Sequence, residues 1–140
     1  MTHLHATCVA VNGHGVLLTG VSGSGKSDLA LRLIDRGAQL VSDDYTDLTV
    51  ESGSLVARAP ATIAGLIEVR GLGIINIGAL DSAIVRLHIA LDAPGTRLPD
   101  APEYRFFIGV RIRHYVLAAL ECSAPIKLEM MLAHVTRELT

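Results

Sequence analysis

The chain has 140 residues, of which half are hydrophobic and 19% charged, with a mean hydropathy of +0.44. That length suits one domain with its own core, and the composition excludes a disordered chain. A net charge of −2 gives no reason to expect nucleic acid or a membrane surface as partner.

The two cysteines, Cys8 and Cys122, lie far apart and form no CxxC pair, as expected of free thiols in a reducing cytoplasm. Residues 1–11 lack the basic start and apolar core of a signal peptide, and no apolar run is long enough to span a bilayer. The chain therefore reads as a soluble cytoplasmic protein, with residues 1–140 forming a single domain.

In chain order, Thr7 to Val11 predicts a strand, and Asn12-Gly13-His14-Gly15 a turn into a second strand over Val16 to Thr19. Next stands Gly20-Val21-Ser22-Gly23-Ser24-Gly25-Lys26-Ser27, which fits the P-loop pattern GxxxxGK[ST]. Its glycines let the backbone curl tightly and bring N–H groups close to a phosphate chain. The helix expected over Ser27 to Arg36 carries Leu29, Ala30, Leu33 and Ile34 at helical spacing and aims its positive end at the same anion. In that pattern Lys26 contacts the β and γ phosphates, and the Ser27 hydroxyl ligates Mg²⁺. One of only two lysines in the chain occupies this position.

Gly37 is placed to end the helix, and Gln39 to Ser42 predicts a short strand stopped by Asp43-Asp44. P-loop enzymes need a carboxylate at a strand end to help hold the metal. Adjacent carboxylates repel, so one of this pair is expected to serve as a base. A hairpin is expected from Asp47 to Arg58 around Ser52-Gly53. Gly65 to Ile75 is apolar, interrupted by three glycines, and holds Glu68, open both to metal ligation and to a plain ion pair with Arg70. Val85, Leu87, Ile89 and Leu91 alternate with Arg86, His88 and Ala90, which predicts a strand with one wet face. Asp92 to Glu103 carries three prolines and reads as loop. Arg105, Arg111, Arg113 and His114 form a local basic group, read either as an anion contact or as the solvent face of a strand. A last helix follows Ser123, with Leu128, Met131, Leu132, Val135 and Leu139 on one face. The whole is α/β, with more strand than a simple βαβ array.

The P-loop, Arg36-Gly37 with Leu40-Val41-Ser42-Asp43-Asp44, and Ile67-Glu68-Val69-Arg70-Gly71-Leu72-Gly73-Ile74-Ile75 together resemble the catalytic domain of the HPr kinase/phosphorylase family. The Glu-x-Arg-Gly-x-Gly-Ile-Ile element is far more specific than the P-loop, and the likeness is clear from about His5 to Ile77. The resemblance implies a P-loop domain with a mixed sheet, related to the phosphoenolpyruvate carboxykinase fold. It implies an ATP- and Mg²⁺-dependent kinase acting on a serine of the phosphocarrier HPr, usually as a hexamer.

Position by position, the resemblance assigns Lys26 to phosphate binding, Ser27 and Glu68 to Mg²⁺, and Asp44 to taking the proton of the target serine. Asp43 is then left on the metal side. His5 matches an active-site histidine, and Arg97 an arginine in a later loop. The chain begins almost at that histidine, so the short form of the enzyme, without an N-terminal regulatory domain, is expected. The family's basic, proline-containing C-terminal motif is replaced by Gly109-Val110-Arg111-Ile112-Arg113-His114, so phosphorylase activity is expected to be weak or absent. Two other readings fit a P-loop: a small-metabolite kinase, and a non-catalytic ATP-sensing module. A base beside the γ-phosphate separates an enzyme from a sensor.

Overall fold

The computed structural model describes residues 1–91 and 101–138. The strands are β1 (Thr2–Leu4), β2 (Thr7–Val11), β3 (His14–Thr19), β4 (Gln39–Ser42), β5 (Thr46–Glu51), β6 (Ser54–Arg58), β7 (Leu66–Val69), β8 (Gly73–Asn76), β9 (Ala83–Ala90), β10 (Glu103–Phe107) and β11 (Val110–Val116). The helices are α1 (Lys26–Asp35) and α2 (Ala124–Glu138). The predicted α/β class with a mixed sheet is what forms.

The main sheet runs β1-β5-β6-β9-β3-β2-β4, with β10 and β11 branching from β9. β2 and β3 form the expected antiparallel hairpin, Val11 opposite His14. Asn12 and Gly13 turn between them with φ of 51° and 82°, the left-handed pair that a two-residue type I′ turn requires. β3 then pairs in parallel with β9, which leaves the C-terminal ends of both strands at one edge of the molecule.

Side chains alternate across this sheet, and both faces are covered. Val9, Val11, Val16, Leu18, Leu87 and Ile89 pack with Leu29 and Leu33 of α1 and with Leu128 and Leu132 of α2. On the opposite face Cys8, Ala10, Leu17 and Val85 join Val41, Leu48, Leu55 and Ile112. Continuous apolar strands such as β2 follow from burial on both sides. Each fully buried leucine stabilises the fold by about 1.5–3 kcal/mol. Gly37 ends α1 with φ 108°, while the Ala38 N–H bonds back to the Leu33 carbonyl at 3.0 Å, a Schellman-type stop. Among the described residues no helix is long and apolar enough to cross a membrane.

The wet face expected on β9 does not exist along its C-terminal half. His88 is 6% exposed. The cause is β11, which pairs in parallel with β9 and sets His114 opposite His88. The two rings stack, with Nδ1 facing Nδ1 at 2.9 Å, and Phe107 meets His88 edge-on. The solvent-face reading of β11 fails for the same reason, since Arg113 and His114 are both buried while Arg111 is exposed.

Burial, and secondarily the Arg105 guanidinium, push the His114 pKa down, with Glu103 opposing. The unfolded chain therefore takes up a proton on this residue near pH 6.5, while the folded chain takes it up only at lower pH. Stability is full above that window and is lost as pH falls through it, by at most about 1.4 kcal/mol per pH unit for one group. Urea unfolding between pH 5 and pH 7.5 is expected to show that slope, and His114→Phe to flatten it. An unchanged slope in the variant would assign the acid sensitivity to other groups.

Candidate active site

The site begins where β3 ends. Gly20 leaves the strand so close to the returning loop that a Cβ there would fall 2.5 Å from Ser24 Oγ. Gly25 has φ 97° and caps α1 without a side-chain bond, so the first turn of the helix has no capping side chain over its N–H groups. Lys26 is 6% exposed and folds over the loop, donating from Nζ to the carbonyls of Gly20 at 2.7 Å and Val21 at 3.1 Å. An ammonium carries three protons, so one remains for an external acceptor. Ser24 Oγ is buried with no hydrogen-bond partner. A glycine cradle, a cation and an unsatisfied hydroxyl are the donor set that a chain of phosphates fits.

β4 delivers the two aspartates to the same edge, and they point apart. Asp43 is 5% exposed and accepts from Thr7 Oγ1 at 3.0 Å, Ser27 Oγ at 2.7 Å and the Glu68 N–H at 2.9 Å. Because Ser27 donates its only proton to Asp43, its oxygen lone pairs stay free for a metal. Asp44 sits in the left-handed region at φ 68°, a conformation aspartate tolerates better than most residues. Its N–H bonds to Thr7 Oγ1 at 3.1 Å, and its exposed carboxylate accepts from His5 Nε2 at 2.9 Å. Tyr45 lies against the His5 ring, with centroids 5.1 Å apart.

The β7–β8 hairpin docks through the Glu68 N–H bond to Asp43 and leaves the Glu68 side chain exposed. The sequence left open an ion pair with Arg70; among the described residues none forms. Instead Lys26, Ser27, Asp44, Glu68 and Arg70 line one cleft of about 540 Å³, within the size range of small-molecule sites.

Of the residues singled out from sequence, the structure thus brings together the glycine loop, Lys26, Ser27, Asp43, Asp44, His5 and Glu68. Arg97 lies outside the described residues. Arg111 and Arg113 line a different cleft. Thr7 and Tyr45 were missed. Thr7 is fully buried and its hydroxyl ties Asp43 to Asp44. The signal available was a lone polar residue opening the apolar strand β2.

Among proteins of known structure the chain resembles the Hpr(Ser) kinase/phosphatase from Coxiella burnetii, with a TM-score of 0.88 and 28% identity, over 99% of this chain and 93% of that one. It is 40% identical over 124 residues to an HPr kinase/phosphorylase of Clostridium perfringens, covering 80% of this chain and 40% of the relative. A Leptothrix cholodnii protein of the same name is 38% identical over 131 residues, covering 84% of this chain and 40% of the relative. The chain thus spans about 40% of the length of these relatives. The profile described as HPr Serine kinase C-terminal domain matches residues 1–118. On that match, and on the structural likeness along its whole length, the chain belongs to the HPr serine kinase C-terminal domain family.

Proposed function

We propose that the protein is a cytoplasmic, ATP- and Mg²⁺-dependent kinase that phosphorylates a serine of an HPr-type phosphocarrier. The glycine loop and Lys26 hold the β and γ phosphates. Ser27, with Asp43 behind it, and Glu68 hold Mg²⁺, which when bound neutralises charge on the phosphate oxygens. The serine oxygen bonds to the γ-phosphorus, the bond from that phosphorus to the ADP oxygen breaks, and the serine proton passes to Asp44. His5 positions Asp44, and Arg97 contributes a cation. As in the family resemblance, we take the working form to be a homo-oligomer, a hexamer.

One observation carries the reading: Asp44, hydrogen-bonded to His5, lines the same cleft as Lys26 and Ser27. A nucleotide sensor has no use for a carboxylate oriented there. The test is mass spectrometry of HPr-type phosphocarriers after incubation with the protein, ATP and Mg²⁺. One phosphoryl group on a serine is the expected product. ATP binding without any protein product would favour the sensor or a small-metabolite kinase.

The reverse reaction, attack of inorganic phosphate on the phosphoserine, is expected to be weak. It needs cationic contacts of its own beside the phosphoserine. The cations at positions 111 and 113 line another cleft, which supports this reading. Serine-phosphorylated HPr, Mg²⁺ and phosphate without ADP should release pyrophosphate much more slowly than the forward reaction runs. Comparable rates would overturn this expectation.

A further inference from the structure

β2 is apolar along its length except at its first residue. Thr7 is fully buried and pairs with Leu18 of β3, so solvent contact does not explain a hydroxyl there. A valine has the same shape and suits a buried strand at least as well. The hydroxyl is accounted for by what it holds. The Asp44 N–H can only donate, so Thr7 Oγ1 accepts from it at 3.1 Å and gives its single proton to Asp43 Oδ1 at 3.0 Å. One oxygen atom thus meets the backbone of one aspartate and the carboxylate of the other.

Both contacts bear on the cleft. Asp43 Oδ1 also accepts from Ser27 Oγ at 2.7 Å, so Thr7 and Ser27 converge on the same carboxylate oxygen. Asp44 stands at φ 68°, a backbone region in which a non-glycine residue is held by its surroundings. The peptide that joins the two aspartates is tied at both ends. Its carbonyl accepts from the Tyr45 N–H at 2.7 Å, and its N–H is the one bonded to Thr7. The two residues before Thr7 grip the same turn. The Ala6 carbonyl accepts from Thr46 Oγ1 at 2.9 Å, and His5 Nε2 bonds to Asp44 Oδ1 at 2.9 Å. Of these three successive residues, only Thr7 reaches both aspartates.

We infer that Thr7 is a positioning residue for phosphoryl transfer. Its hydroxyl fixes the plane of the peptide between Asp43 and Asp44. It thereby sets the angle between the carboxylate that backs Ser27 and the one that receives the serine proton. The inference rests on the kinase reading of this cleft. A rotation of that peptide carries the Asp44 carboxylate away from the reacting serine, and a misplacement on the order of 1 Å costs about 100-fold in rate.

The test compares Thr7→Val, which removes the hydroxyl at constant shape, with Thr7→Ser, which keeps it. Amide hydrogen exchange of the ¹⁵N-labelled full chain, without nucleotide or metal, reads the lock directly. The Asp44 N–H should exchange at least about tenfold faster in Thr7→Val and near the parent rate in Thr7→Ser. Steady-state phosphorylation of HPr reads the consequence. In Thr7→Val, kcat should fall by about 10–100-fold while KM for ATP stays within about twofold of the parent, and Thr7→Ser should largely restore kcat. A threonine that merely supports the fold would not split kcat from KM in this way. If Thr7→Val does not fold, Thr7→Ala against Thr7→Ser gives the same contrast, since those two differ by one oxygen. Equal kcat in the Val and Ser variants beside an active parent, or a loss confined to KM, would overturn the role of Thr7 alone. A parent chain inactive on every HPr-type carrier would instead sink the kinase reading, and the positioning role with it.

Discussion

Lys26→Ala is expected to abolish phosphoryl transfer and to remove tight ATP binding. The ammonium is buried against the loop it serves, held by two carbonyls at 2.7 and 3.1 Å. Alanine therefore removes both the cation at the phosphate end of the cleft and the tie that keeps the loop curled. Each hydrogen bond to a charged group is worth about 1.5–3 kcal/mol, and every 1.4 kcal/mol is tenfold in affinity. Loss of the contacts to the β and γ oxygens should then weaken ATP by roughly two orders of magnitude or more. Calorimetric titration with ATP and with ADP separates the two effects. A cation that reaches the γ-phosphate costs ATP more than ADP when it is removed, whereas a merely loosened loop penalises both alike. Affinity for ATP within twofold of the parent chain would sink the assignment of the glycine loop.

The parts of this molecule that could be read from sequence are those whose partners lie close along the chain. The β2–β3 hairpin follows from an Asn-Gly pair that accepts left-handed backbone, and α1 from apolar spacing between the glycine loop and Gly37. What escaped depends on strands brought together from distant segments. His88 looks like the wet side of an alternating strand until β11, 26 residues on, places His114 against it. The bridge from Thr7 to the aspartates spans 36 and 37 residues, and no periodicity records it. The segment from Gly65 to Ile75 divides in a way its apolar content does not reveal. Ile67 is buried in the core, whereas Leu72 and Ile74 are 75% and 70% exposed at the far end of the hairpin. The individual site residues were legible where a motif fixes them in order, as with Lys26 and Ser27. The pairing of His5 with Asp44, 39 residues apart, needed the fold.

Asp44→Asn is expected to remove phosphoryl transfer and to leave ATP affinity unchanged. The substitution keeps the shape, and the backbone N–H of residue 44 can still bond to Thr7. The amide also keeps an oxygen for His5 Nε2, so the left-handed turn and the contact of Tyr45 with the His5 ring should persist. What disappears is the capacity to accept the serine proton, a loss of about 10²–10⁴ in rate for a general base. Asp43→Asn should fail differently. Asp43 receives three donors on its two oxygens, from Thr7, Ser27 and the Glu68 N–H. An amide offers one acceptor oxygen and turns an NH₂ toward a group that also donates. Losing one such bond to a buried charge costs about 1.5–3 kcal/mol, so this variant should melt at lower temperature and hold the β7–β8 hairpin less firmly. Single-turnover phosphorylation, ATP titration and thermal unfolding of both variants discriminate the roles. A fully stable Asp43→Asn chain without activity, beside an active Asp44→Asn chain, would move the base from Asp44 to Asp43. His5 would then have no part in orienting it, since its hydrogen bond reaches Asp44.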